Sequence, residues 1–174
     1  KAIDYCDKII NSGKYDLSAS GLISQTAEGT NKWITTAYTK SELLEKAYGR
    51  LKTPVDRILY VKGTAQIEHP IASGIRALAR QSMIGVNDQD GAIAISKNEA
   101  AKIPAEDICT KQYFEDFGGA VIEVWSYDPI ILERDGCVDD ISLLLSMDND
   151  PNERVQTCLD EIRQKHGLPI KEEE

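Results

Sequence analysis

Two histidines, His69 and His166, are the residues best suited to act as a base for a nucleophilic serine, threonine or cysteine. His69 precedes Pro70 at a predicted loop-to-helix junction, where a surface or capping role is the expected one. His166 precedes Gly167 at the predicted end of a helix, where a cation stabilises the helix dipole. The chain contains no Gly-x-Ser-x-Gly motif. The sequence therefore predicts no catalytic site.

Aspartates occur in pairs that are suited to bind a divalent cation. The pairs are Asp88 and Asp90, Asp139 and Asp140, and Asp148 and Asp150. The first pair resembles the start of a calcium loop, but the later ligand positions and the closing acidic residue are missing. Aspartate pairs are also common at turns, because their side chains bond to the nearby backbone. We therefore predict turns at 88–91 and 148–151, with no metal and no cofactor.

Glu123 lies in a predicted strand, where metal-dependent nucleases carry one of their carboxylates. Such an enzyme needs further polar ligands close behind, so that a bound ion can polarise a water molecule. Here Trp125 and Ser126 follow instead. A metal-dependent hydrolase or phosphoryl-transfer enzyme stays open as an alternative function, and its candidate residues are Asp88, Asp90, Glu123 and Asp139.

Charge is distributed unevenly along the chain. Residues 1–52 carry 8 lysines and arginines against 6 aspartates and glutamates, whereas residues 53–174 carry 12 against 23, and the net charge is −9. An acidic surface repels a phosphate backbone. Contact with DNA is therefore expected only in the N-terminal part, and the acidic part is expected to bind a protein partner or a second copy of the chain.

The sequence predicts a soluble protein of the cytoplasm that does not associate with membranes. No apolar run approaches the roughly 20 residues of a membrane span, and the N-terminus lacks the pattern of a signal peptide. The four cysteines are widely spaced and form no C-x-x-C pair, so reduced thiols are expected. They are Cys6, Cys109, Cys137 and Cys158.

A hairpin and a helix are predicted in the first third of the chain. Two β-rich runs, 21–26 and 32–38, flank a Gly/Asn turn and predict two short antiparallel strands. Thr39 and Glu42 have the spacing of a capping box, which predicts a helix over about 40–52.

The hairpin follows a further predicted helix over residues 2–11, where apolar residues have helical spacing. A helix followed by a hairpin is the back half of a winged helix, whose turn can lie along the phosphate backbone. The sequence thus predicts a partial winged-helix element with DNA contacts from Lys14, Thr30, Asn31 and Lys32.

From residue 53 onward strands and helices follow one another in a mixed order. Strands are predicted over 55–61, 91–96 and 120–125, and helices over 70–80, 98–103, 112–117, 139–145 and 153–166. This order predicts an α/β (α+β) fold with a mixed sheet covered by helices. We predict two domains, 1–52 with the winged-helix element and 53–174 as a partner or sensor domain.

Several segments resemble bacterial winged-helix regulators of the MarR-like type. Residues 19–23, 28–34 and 51–55 are similar to the wing and linking helix, and residues 73–83, 122–129 and 138–155 to the α/β domain that follows in such proteins. That domain is related in style to the antitoxin half of abortive-infection type IV toxin–antitoxin systems. The resemblance implies a transcription regulator or antitoxin, and it implies no catalytic residues. About three helices precede the wing of a complete winged helix, and only one is predicted here.

Three classes of function follow from these observations. The leading hypothesis is a transcriptional regulator or antitoxin-like protein, in which the acidic α/β domain meets a basic partner. The second is the metal-dependent enzyme described above. The third is a purely structural interaction domain, for which an exposed Trp33 or Trp125 within an apolar patch would be the sign.

Overall fold

The computed structural model describes residues 20–29, 31–63, 66–85 and 91–170. The chain divides into two compact units. The first contains Lys1–Leu51 together with Arg163–Glu174, and the second contains Lys52–Ile162. The division therefore falls one residue before the predicted boundary, and the C-terminal segment is grouped with the N-terminal residues.

The first unit contains the hairpin that the sequence predicts. Strands β1 (Ser24–Glu28) and β2 (Asn31–Thr35) pair antiparallel, with Ser24 opposite Thr35. The predicted helix over 2–11 lies outside the described residues. The hairpin is therefore confirmed, whereas the winged-helix interpretation stays a prediction.

Helix α1 (Lys40–Tyr48) follows the hairpin and begins at the predicted capping box. The Glu42 backbone N–H donates to Thr39 Oγ1 at 3.3 Å, and the Thr39 backbone N–H donates to Glu42 Oε2 at 2.8 Å. The pKa of the exposed Glu42 carboxyl is lowered by the bond from the Thr39 backbone N–H and, to a smaller extent, by a bond that Thr39 Oγ1 donates to Oε2 at 2.7 Å. The helix ends four residues earlier than predicted, because the chain turns at Gly49 with 3₁₀-type bonds to the last carbonyls.

The second unit is built on a five-stranded mixed sheet in the order β4-β5-β7-β3-β6. Its strands are β3 (Val55–Val61), β4 (Ile71–Ala72), β5 (Ala92–Ser96), β6 (Ile108–Cys109) and β7 (Ala120–Trp125). Strands β5 and β7 pair parallel, and the other three pairs are antiparallel. The three strands that the sequence predicts form the centre of this sheet.

Five further helices complete the described part of the chain. They are α2 (Gly74–Gln81), α3 (Lys97–Ala100), α4 (Lys111–Phe117), α5 (Asp140–Met147) and α6 (Glu153–Lys165). Within the described residues, no helix has the length and apolar character needed to cross a membrane. The six helices and two sheets of the described residues confirm the predicted mixed α/β fold.

One face of the sheet forms the aliphatic core. Alternate residues of the three central strands point to this face, and Ala100 of α3 packs against them. The buried members are Val61, Ile93, Ile95, Ile122 and Val124. In β5 the residues of the other set, Ala92, Ala94 and Ser96, are buried as well, so this strand is covered on both faces.

The opposite face is only partly covered. The strand register aligns Tyr60, Val121 and Ala92 in one row and Ile58 and Glu123 in the next. Phe114 of α4 packs on Tyr60 with ring centroids 5.4 Å apart. At the other side, the beginning of α2 and the end of α5 lie over β5 and β7. Ile58 is 51% exposed, so a strip of the sheet between these helices faces solvent.

Gly119 fixes the approach of β7 to β3. It has a φ of +146°, and a Cβ atom there would lie 2.1 Å from the backbone oxygen of Val61. A larger residue would push the two strands apart. The register between the central strands therefore depends on glycine at this position.

The predicted helix over 70–80 is wrong at its beginning. Ile71 and Ala72 form β4, which pairs with Ala94 and Ile93 of β5, and the helix starts only at Gly74. A local helical pattern contains no information on pairing with a strand more than 20 residues later in the chain. The short strand β6 was not predicted for the same reason.

Three of the four cysteines lie in the described residues. Cys109, Cys137 and Cys158 are free thiols, and Cys137 is buried. Cys6 lies outside the described residues. Buried cysteine packs as a small apolar side chain, so Cys137 contributes to the core.

Candidate functional site

A cleft of about 510 Å³ lies in the second unit on the partly covered face of the sheet. Its floor comes from β5 and β7, one wall from the beginning of α2, and the other from the end of α5 and the turn after it. The lining residues are Thr53, Gly74, Ile75, Gly91, Ala92, Val121, Glu123 and 145–150. This volume falls within the range of about 300–1,000 Å³ that is typical of small-ligand sites.

Glu123 is the ionisable group on the floor of this cleft. It stands in the central strand β7 between the core residues Ile122 and Val124, so strand alternation turns it to the opposite face. Its Oε2 accepts hydrogen bonds from Ser73 Oγ at 2.5 Å and from Trp125 Nε1 at 3.1 Å. Two donors to one oxygen fix the orientation of the carboxylate.

Both donors are themselves held rigidly. Ser73 is fully buried, and its backbone N–H donates to the carbonyl of Ala92 at 3.0 Å. Trp125 is 1% exposed and meets the Tyr127 ring edge-on, with centroids 5.3 Å apart. Tyr127 in turn is hydrogen-bonded to Ser142 of α5, with 2.5 Å between the two oxygens. Ser73 and Trp125, the latter packed on Tyr127, therefore hold the Glu123 carboxylate in one orientation.

Gly74 leaves space beside the other carboxylate oxygen. It is the first residue of α2, with a φ of +54°, a conformation that glycine adopts without strain. A Cβ atom there would lie 3.7 Å from Glu123 Oε1 and 3.8 Å from the Ala92 Cβ. No described residue donates a hydrogen bond to Oε1. Glu123 lines the cleft, and Oε1 is its carboxylate oxygen without a described donor.

The turn after α5 forms the acidic rim of the cleft. The Gln156 side chain of α6 braces this turn, because its Nε2 donates to the Asp150 carbonyl at 2.8 Å and to the Asp148 carbonyl at 3.4 Å. Asp150 Oδ1 also accepts from the Asn152 backbone N–H at 2.9 Å. The predicted turn at Asp148 and Asp150 is confirmed, and both residues line the cleft.

All ionisable side chains among the described lining residues are carboxylates: Glu123, Asp148 and Asp150. Oxygen-bearing Thr53, Ser146 and Asn149 add neutral polar groups, and the remaining lining is apolar or glycine. An anionic ligand would be repelled by this lining. The cleft therefore favours a ligand that is positively charged and partly apolar.

Of the other candidate carboxylates, Asp139 is not part of the cleft lining. Asp139 is the N-cap of α5, where its Oδ1 accepts from the backbone N–H groups of Ile141 and Ser142 at 3.1 Å. Asp88 and Asp90 lie outside the described residues. Within the part of the chain that is described, no group of three or more histidine, cysteine or acidic side chains is placed to hold a metal ion.

The predicted DNA-binding residues lie in the first unit. Lys14 and Thr30 are outside the described residues, and Asn31 and Lys32 are the first two residues of β2. Trp33 beside them is 53% exposed. Their proposed contacts with DNA therefore stay predictions.

Neither histidine is among the residues that line the cleft. His69 is exposed in the segment before β4, and His166 directly follows α6, with its backbone N–H donating to the Arg163 carbonyl. Both positions agree with the surface and helix-end locations that the sequence predicts.

Sequence reasoning identified Glu123, Asp148 and Asp150 as candidates but missed Ser73, Gly74 and the role of Trp125. The sequence held no local signal for the first two, because they follow β4, which depends on pairing with β5. The signal for Trp125 was its position two residues after Glu123, which places both side chains on one face of a strand.

Comparison of the chain with protein-family models, with curated proteins and with solved structures found no match in any of the three. The resemblance to winged-helix regulators thus stays a hypothesis. The cleft and the hairpin are the features from which a function can be argued.

Proposed function

We propose that this chain is a regulator of the antitoxin-like kind, in which the second unit binds a basic partner and the hairpin contacts DNA. The observation that carries the proposal is the cleft around Glu123, whose described ionisable groups are all carboxylates. A domain that works by binding needs a concave surface with oriented polar groups, and this cleft has both.

The negative charge of residues 53–174 supports the proposal of a basic partner. Residues 53–174 have a net charge of −11, and the cleft concentrates part of that charge over the apolar side chains of Ala92, Val121 and Ile75. Complementary charge speeds association and suppresses wrong partners. A basic protein partner is therefore the expected one.

The hairpin supports the contact with DNA. Residues 1–52 have a net charge of +2, and Trp33, Thr26 and Thr35 expose their side chains along the two strands. A two-stranded ribbon can lie along a phosphate backbone, where lysine, threonine and asparagine contact phosphate oxygens. The proposed contacts are those of Lys14, Thr30, Asn31 and Lys32.

We expect the full chain to bind a labelled random-sequence duplex in a salt-dependent manner, measured by fluorescence anisotropy at about 50 and about 200 mM salt. The double variant Lys14→Glu/Lys32→Glu should bind more weakly and lose part of the salt dependence, because each lysine is proposed to neutralise a phosphate. Binding should weaken by tenfold or more for this charge reversal.

The matched control is Lys102→Glu/Lys111→Glu, which makes the same change of charge on exposed residues of the second unit. It should bind the duplex nearly as well as the unchanged chain. Equal loss of affinity in the two variants would show that only net charge matters. Absence of salt-sensitive binding by the unchanged chain would contradict the proposed contact of this chain with DNA.

A further inference from the structure

We infer that the cleft around Glu123 binds an organic cation, namely an ammonium or guanidinium group carried on an aliphatic stem. The inference rests on the proposed function in that a lysine or arginine of the partner would be the natural source of the group. A free alkylamine has the same chemistry, and the experiment below separates these two sources.

The position of the charged head follows from the bonding of Glu123. Its Oε2 is occupied by Ser73 and Trp125, whereas Oε1 lies beside Gly74 and receives no hydrogen bond from a described residue. A cationic donor at Oε1 would complete the hydrogen bonding of the carboxylate with a charge-assisted bond. Because the carboxylate is already oriented, binding would not have to fix its conformation.

The position of the stem follows from the floor and walls. Ala92, Val121, Ile75 and the apolar residues at the end of α5 present hydrocarbon next to the carboxylate. Long basic side chains and alkylamines bury their methylene groups in such surroundings while the charged end finds a partner. The floor thus selects a cation with an apolar part rather than a fully hydrated one.

A bare metal ion fits this lining less well. Calcium takes six to eight oxygen ligands and magnesium six, but the described residues offer no group of three acidic, histidine or cysteine side chains around one point. An anion is disfavoured by the carboxylates, and a neutral ligand would cover Oε1 without compensating its charge. An organic cation needs no cluster of metal ligands, is attracted by the carboxylates, and compensates the charge at Oε1.

The test uses the indole of Trp125 as a reporter, because its N–H donates directly to Glu123. The chain has two tryptophans, so an ¹⁵N-labelled sample gives two indole signals, and Trp33→Phe assigns them. The full chain is titrated with three probes: N-acetyl-arginine amide, 1,4-diaminobutane, and N-acetyl-norleucine amide, which has an aliphatic stem without charge.

We expect the two cationic probes to shift the Trp125 indole signal in a saturable manner while the Trp33 signal stays in place. Norleucine amide should produce at most a weak shift. Glu123→Gln, which keeps an oxygen for Ser73 and Trp125, should weaken binding of the cations by about tenfold or more, the equivalent of one charge-assisted hydrogen bond. Glu161→Gln is the matched control, since this exposed glutamate is not part of the lining.

An equal response to norleucine amide and to the cations would overturn the inference, as would an unchanged affinity in Glu123→Gln or no shift with any probe. Tighter binding of arginine amide than of the diamine assigns the site to a basic side chain of a partner, and the reverse order assigns it to a free alkylamine. The DNA experiment tests a separate part of the molecule. A chain that binds cations but not DNA would therefore retain this inference and lose the proposed regulator.

Discussion

The two faces of the five-stranded sheet use the same strands for different purposes. In β7, Ile122 and Val124 are fully buried in the aliphatic core, whereas their neighbours Val121 and Glu123 form the floor of the cleft. The core face is stabilised by burial of apolar surface alone. The cleft face contains an oriented carboxylate supported by a hydrogen-bond network. Strand β7 thus has apolar residues on the core face and a carboxylate on the other. This difference indicates that a ligand binds on the cleft face.

The difference between the two faces is tested most strongly by a substitution that leaves a cavity on the core face. Ile122→Ala should lower the free energy of unfolding by about 2–5 kcal/mol, because it removes buried methyl and methylene groups and leaves a cavity. Urea denaturation followed by circular dichroism measures this change. Glu123→Gln, one residue away, should cost less than about 1 kcal/mol, since its hydrogen bonds can be kept. Similar losses for the two variants would mean that both faces are structural.

Removal of the Ser73 hydrogen bond to Glu123 tests the cleft face, and its effect on stability should be smaller. Ser73→Ala should lower the free energy of unfolding by about 1–2 kcal/mol, because the part-buried hydrogen bond from Ser73 to the Glu123 carboxylate is lost. It should also weaken binding of N-acetyl-arginine amide, since Glu123 would no longer be held in place. Ser82→Ala, which removes a local bond to the Leu78 carbonyl, is the control and should leave cation binding unchanged. Loss of stability without loss of binding would reduce Ser73 to a packing role.

The smallest effect is expected at Glu42. Its carboxylate accepts hydrogen bonds, as that of Glu123 does, but it is not part of the cleft lining. Its pKa is lowered in the folded chain by hydrogen bonds from Thr39. Its contribution to stability is therefore fully present above the ordinary pKa of 4.5 and is lost as pH falls through the lower folded value. Glu42→Gln should reduce the fall of stability between pH 5 and pH 3, as measured by the urea midpoint, and should not alter cation binding. An unchanged pH profile would contradict this role of the capping box.

The sequence allowed the central sheet and most helices to be predicted, because β3, β5 and β7 are apolar runs with clear ends. The capping box at Thr39 was equally readable, since its two partners stand three residues apart. Strands β4 and β6 were missed because two-residue strands depend on pairing with distant strands rather than on a local pattern.

The cleft was only partly predictable for a related reason. Ser73 and Glu123 are 50 residues apart in the chain, and the acidic rim comes later still. Each carboxylate could be recognised as a candidate from its type and neighbours. Their meeting at one face depends on the sheet register and on the packing of α2 and α5, which no local pattern specifies.

Gly119 gives the cleft an evolutionary signature. Any side chain there would collide with the backbone of Val61, and the strand that carries Glu123 would have to move. A related chain could exchange the cleft carboxylates and so change its ligand while keeping this glycine. Relatives with this scaffold are therefore expected to keep glycine at the equivalent position, and the residue equivalent to Glu123 would indicate which of them bind the same kind of ligand.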